Sequence, residues 1–182
     1  SGLRLLDASQ LEQIILRFAG GGGRIGPAGF LNFLQSVMPQ STAVSSSQRD
    51  NVIQHLFSIY YAFEQSAASL GENSGKVDVF GLAAGLSVLC LGSKSSKLGV
   101  GFGLFSDGEG AQEGSLSQAA VAGLMASYLL TLQALDVLPE GSLAIEVAMH
   151  VSRIMAESIE GSVNFISFGK WYNVEGCHCA PW

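Results

Sequence analysis

The sequence predicts an all-α fold of four helix–loop–helix units, paired into two lobes that each close with a short two-stranded β ladder. Two observations predict it. First, one pattern occurs four times: a glycine, a polar residue, a branched apolar residue, and another apolar residue five positions on. The copies are Gly23-Arg24-Ile25 with Phe30, Gly75-Lys76-Val77 with Leu82, Gly114-Ser115-Leu116 with Val121, and Gly161-Ser162-Val163 with Phe168. Second, each copy lies between two amphipathic segments. Glycine supplies the positive φ of a sharp loop reversal. The branched residue suits a short strand, and the later apolar residue opens the inward face of an exiting helix. Pairing units one with two and three with four sets Ile25 beside Val77 and Leu116 beside Val163. The lobes then span 1–92 and 93–182, packed as one domain of a longer protein.

The elements follow in order. Asp7-Ala8-Ser9-Gln10 forms a capping box, after which Leu11, Ile14, Ile15 and Phe18 share one helical face. The loop 19–24 holds four consecutive glycines and no carboxylate. Pro27 suits the first turn of the second helix, whose apolar positions are Phe30, Leu31, Phe33, Leu34 and Val37. A Ser/Thr-rich linker covers 39–47. A long third helix over 48–68 turns Val52, Ile53, Leu56, Phe57, Tyr60 and Phe63 inward. The fourth runs through Leu82, Leu86, Leu89 and Cys90, and a polar link over 92–97 leads to a fifth at 97–105. The sixth, over 117–135, is almost wholly apolar and is expected to be the most buried element; Pro139-Glu140-Gly141 ends it. The seventh covers 142–157 with Leu143, Val147, Val151, Ile154 and Met155 inward. Val163-Asn164-Phe165 reads as a strand leading to an eighth helix at 167–172.

Composition narrows the function classes. Charged residues are 13% of the 182, against roughly 25% in an average globular domain, and hydrophobic residues reach 48%. Such a chain can bury a real core. A net charge of −6 argues against non-specific nucleic-acid binding, which needs cationic surface. The longest nearly apolar stretches, 79–91 and 119–132, fall short of the ~20 residues of a membrane span. Ser1-Gly2 without an initiator Met reads as the scar of a removed tag. Three cysteines, Cys90, Cys177 and Cys179, make no disulfide framework, so an intracellular, cytoplasmic location is expected.

The glycine pattern resembles the EF-hand, in which a loop glycine at position 6 precedes an aliphatic at 8 and a bidentate glutamate at 12. The resemblance covers nearly the whole chain. Counted from each glycine, position 12 falls on Gly29, Gly81, Ala120 and Ser167, none of which can grip a cation with two oxygens. Residues 74–98 resemble the EF-hand region of the dystrophin and dystrobrevin family, through Gly75-Lys76-Val77-Asp78-Val79-Phe80 and Gly85-Leu86-Ser87-Val88-Leu89-Cys90. Ser167-Phe168-Gly169-Lys170-Trp171 resembles that family's closing helix. The resemblance implies a rigid protein-binding scaffold with largely lost calcium ligands.

Asp107, Glu109 and Glu113, in the acidic loop of unit three, are the candidate calcium ligands, although Ala120 removes the bidentate carboxylate calcium usually takes. Unit two offers Glu72, Asn73 and Asp78, and unit four Glu157 and Glu160. Unit one offers no oxygen-bearing side chain between Ala19 and Gly23. Cys177-His178-Cys179 is too compact to supply the four converging ligands of a structural zinc site. Gly99-Val100-Gly101-Phe102-Gly103 lacks the strand and the third glycine of a nucleotide loop, and no Gly-x-Ser-x-Gly elbow or Walker sequence is present. Trp171, Tyr172 and Trp182 are the candidate partner-contact or lobe-packing residues. The expected function is therefore a non-catalytic interaction module without a cofactor, taking a protein partner such as a helical peptide in an apolar groove. The alternatives are a calcium sensor using the loop 106–114 and a regulatory domain of a larger enzyme.

Overall fold

A computed structural model describes residues 6–20, 22–38, 46–72, 74–106, 114–138, 144–159, 163–176 and 178. Among these the chain forms eight α-helices and four two-residue strands. The first half contains α1 (Ala8–Leu16), β1 (Arg24–Ile25), α2 (Pro27–Val37), α3 (Ser46–Ser69), β2 (Val77–Asp78) and α4 (Val79–Ser87). The second contains α5 (Lys94–Ser106), β3 (Ser115–Leu116), α6 (Gln118–Ala134), α7 (Ala144–Ser158), β4 (Val163–Asn164) and α8 (Phe165–Trp171), closed by a π-helical turn at Tyr172–Gly176. No described helix is long and apolar enough to cross a membrane.

The repeated glycine pattern has a direct structural counterpart. Gly23, Gly75 and Gly114 adopt φ of +68°, +63° and +75°, which admits glycine at little cost; Gly161 lies outside the described residues. β1 pairs antiparallel with β2, setting Ile25 opposite Val77, and β3 with β4, setting Leu116 opposite Val163. All four branched residues are buried. So are Phe30, Leu82, Val121 and Phe168, the apolar residues five positions on.

Side-chain caps set several helix starts, and most of these lie earlier than apolar periodicity indicates. Asp7 and Gln10 form the reciprocal capping box ahead of α1. Asp78 accepts from the Gly81 N–H at 2.6 Å, so α4 begins at Val79. Asn164 accepts from Ser167 N–H at 2.9 Å, which makes Phe165 helical and shortens the expected strand to two residues. The Ser93 hydroxyl accepts from Ser96 N–H at 3.1 Å, drawing the expected polar link into α5. An N-cap acceptor satisfies one of the orphan donors of the first turn.

Two apolar clusters fill the halves. The first stacks Phe30 on Tyr60 at a centroid distance of 5.1 Å and sets it edge-on to Phe57 at 5.3 Å. The second gathers Phe102, Tyr128, Phe168, Trp171 and Tyr172 with the apolar faces of α6 and α7. They meet at α4. Leu82, Ala83 and Leu86 belong to the first cluster, whereas Ala84 belongs to the second. α4 is buried from Gly81 through Ser87, which corrects the expectation that the helix over 117–135 is the most buried element. α6 is apolar around most of its circumference, but Gln118, Ala119 and Gln133 remain exposed.

α4 approaches α6 through small residues. A Cβ added at Gly85 would collide with the Thr131 hydroxyl. It would also lie 2.8 Å from the Ser127 carbonyl oxygen and 2.9 Å from the Phe63 ring. The carbonyl is part of the α6 backbone and cannot swing away. Gly85→Ala is therefore expected to destabilise the protein by about 1–3 kcal/mol, despite the ~1 kcal/mol by which alanine favours an exposed helix. Gly103→Ala, in α5 with nothing within 4 Å of the added carbon, is expected to leave stability unchanged or raise it. Urea denaturation of both variants checks the pair.

Candidate functional site

The loop pair of the first half is tied together by side chains from outside the loops as well as within them. The Tyr60 hydroxyl lies 3.1 Å from the Ile25 carbonyl oxygen and 3.0 Å from that of Gly75, and it donates to this pair of acceptors. One buried ring thus touches both loops. Burial, with the Glu64 carboxylate and Tyr61 nearby, pushes its hydroxyl up to about 12. The Arg24 guanidinium forms an ion pair with Glu72 in the other loop, and its Nη1 lies 3.4 Å from Ser74 Oγ. At the ladder's far end, the Val79 N–H donates to the Gly23 carbonyl at 3.0 Å.

The residues six beyond the loop glycines occupy the third turn position of each exiting helix. Gly81, Ala120 and Ser167 donate their N–H groups to the caps Asp78, Ser117 and Asn164. Gly29 and Gly81 are closely enclosed. A Cβ at Gly29 would sit 3.2 Å from Ile25 Cγ1 and 3.3 Å from the Phe18 carbonyl oxygen. One at Gly81 would sit 3.2 Å from both Asp78 Oδ2 and Ser127 Oγ. Neither position has room for a longer side chain without displacing its neighbours.

The candidate residues separate into three groups. Asp107, Glu109 and Glu113 lie outside the described residues, as do Asn73, Glu160, Cys177, Cys179 and Trp182. Trp171 and Tyr172 are in the second core, 6% and 1% exposed. Trp171 Nε1 donates to Glu175 Oε2 at 2.9 Å, and the Lys94 ammonium stands 5.4 Å above the Tyr172 ring. Glu72 pairs with Arg24, and Asp78 caps the exiting helix through the Gly81 N–H. Among the described residues, no group of three or more His, Cys, Asp or Glu side chains is placed to hold a metal ion.

An accessible apolar concavity lies between the halves. A groove of about 590 Å³ runs between α3, the end of α4, the start of α5 and the end of α6. Val52, Leu56, Leu89, Leu91 and Leu135 line it, with Lys97 at its side. The Lys97 ammonium donates to the Val88 carbonyl at 2.9 Å, helping to satisfy the end of α4. Cys90, also on the wall, is a buried free thiol that burial pushes up to about 11, which leaves it protonated and unreactive at neutral pH.

No family model matches this chain, and no curated protein matches it.

Sequence reasoning assigned no role to Tyr60 beyond core packing and none to Arg24. Asp78, Ser117 and Asn164 form a further column of the repeat, one residue after each branched apolar position, and all three are N-cap residue types. Tyr60→Phe is expected to cost about 1–3 kcal/mol, because two carbonyls lose a buried donor. Its pH dependence has a definite sign. A hydroxyl raised from 10.0 to about 12 keeps its proton longer in the folded state than in the unfolded one. Wild-type stability therefore falls as pH rises from 10 toward 12. Tyr60→Phe loses that part of the alkaline slope, which denaturation midpoints measured across this range would show.

Proposed function

We propose that this chain is a non-catalytic protein-interaction module built on four degenerate EF-hand units that work without calcium. The observation that carries the reading is the closed space at Gly29 and Gly81. In the EF-hand these positions supply the bidentate carboxylate that completes calcium coordination. Here an added Cβ would already stand 3.2–3.3 Å from its neighbours, so a carboxylate-bearing side chain would have to displace them. The paired strands, the glycines of positive φ and the capped exiting helices support the same reading.

Without a switching ion, a lobe has no ion-driven reason to open or close. What it offers a partner is then a fixed shape. The groove between α3 and the ends of α4 and α6 suits an amphipathic helical peptide, whose apolar face would lie on Val52, Leu89, Leu91 and Leu135. Trp171 and Tyr172 are buried, so on this reading they hold the second half in shape beneath the accessible surface. The second reading, a calcium sensor, rests on Asp107, Glu109 and Glu113 in the loop 106–114.

Thermal unfolding in excess calcium and in excess chelator, at matched ionic strength, separates the two. Superimposed curves are expected. A site filled at a hundredfold excess over its dissociation constant would add about 2.7 kcal/mol of stability, a clear rise in melting temperature. A rise specific to calcium over magnesium, and lost in Asp107→Ala/Glu109→Ala, would replace the scaffold reading with the sensor.

A further inference from the structure

Arg24 makes an unusual set of contacts for a residue on a two-residue strand. It stands opposite Asp78 in the β1–β2 ladder, yet its guanidinium reaches past the strand into the second loop. There it forms an ion pair with the Glu72 carboxylate and brings Nη1 to 3.4 Å from Ser74 Oγ. Ser74 Oγ is itself 3.4 Å from the Lys76 carbonyl oxygen and 3.3 Å from the Lys76 nitrogen. Arg24 also acts on Asp78. Burial pushes that carboxyl up, while the Gly81 amide and the Arg24 charge hold it down. One cation from the first loop thus stands against the oxygens of two side chains in the second, and its charge acts on a third at longer range.

Counted back from Gly81 at position 12, Glu72, Ser74, Lys76 and Asp78 fall at positions 3, 5, 7 and 9. These are positions from which an EF-hand loop presents oxygens to its ion. We propose that the Arg24 guanidinium is the resident cation of the second loop, occupying beside Glu72 and Ser74 the place of a divalent ion. The inference rests on the EF-hand reading for the meaning of these positions, and it deepens that reading by naming what fills one loop.

The chemistry favours the substitution. A guanidinium is always charged and presents five donors in a rigid fork, so it can serve several oxygens together. Being tethered, it is present at a high effective concentration and no chelator removes it. A divalent ion entering the loop would meet a like charge and find the Glu72 carboxylate engaged. Both partners are partly exposed, at 34% and 51%, and exposed ion pairs add little stability. The consequence of Arg24 is therefore exclusion of ions rather than a large gain in stability.

Terbium titration of the full chain tests this, read by luminescence sensitised through Tyr60, whose hydroxyl lies beside the Gly75 carbonyl. Arg24→Gln removes the charge and keeps a polar side chain; circular dichroism checks that the variant is folded. It is expected to bind terbium at least about tenfold more tightly than wild type, since an opposing charge beside the ligands is gone. Adding Glu72→Gln should abolish the gain, and Arg24→Lys should still exclude the ion. Equal binding by wild type and Arg24→Gln would overturn the proposal, as would a gain that survives Glu72→Gln or appears equally in Arg24→Lys. Failure of the wider reading looks different: wild-type calcium binding lost in Asp107→Ala would end the calcium-independent scaffold while leaving the Arg24 result intact.

Discussion

The approach of α4 to α6 at Gly85 determines where everything else can sit. With no Cβ at that point, the helix axis comes close enough for the Thr131 hydroxyl, the Ser127 carbonyl and the Phe63 ring to pack against bare backbone. α4 therefore belongs to both halves. Leu82 and Leu86 complete the first core, and Ala84 enters the second. Leu104 and Leu130 from the second half touch both cores. Interiors packed to this density do not deform gradually, so a displacement of α4 in either half would be felt in the other.

The loops solve a related problem. A loop needs partners for its oxygens and amides. Here the caps Asp78, Ser117 and Asn164 satisfy amides of the exiting helices, and the Tyr60 hydroxyl is donated to carbonyls from both first-half loops. Arg24 brings a positive charge to the second loop's oxygens. Each device is internal to the chain.

The repeat was legible in sequence because its residues are constrained locally. Only glycine enters positive φ cheaply, and a branched residue two positions on must turn into the core, so the register of Ile25 with Val77 and Leu116 with Val163 follows from spacing. Side-chain placement across the fold was not legible. Arg24 and Glu72 are 48 residues apart, and nothing in either neighbourhood names the other. The relative burial of α4 and α6 also depended on tertiary context: Gly81, Ala84 and Gly85 look like weak core formers, yet small residues are what permit close helix contact. Trp171 looks like a recognition residue by type, but Glu175 on the following turn gives its indole N–H a partner and allows the ring to be buried. The caps at Asp78 and Asn164 were not legible, although each follows a branched residue directly: in sequence Asp78 reads as a cation-ligand candidate and Asn164 as a strand residue.

Native-state hydrogen exchange as a function of denaturant tests the central claim, that α4 welds both halves into one cooperative unit. The most protected amides of α2 and α3 should converge on the same global unfolding isotherm as those of α6 and α7, with α4 among the slowest. Convergence at one free energy and one denaturant slope is the result this account predicts. A separate, lower isotherm for the first half, with α6 and α7 still protected, would contradict it.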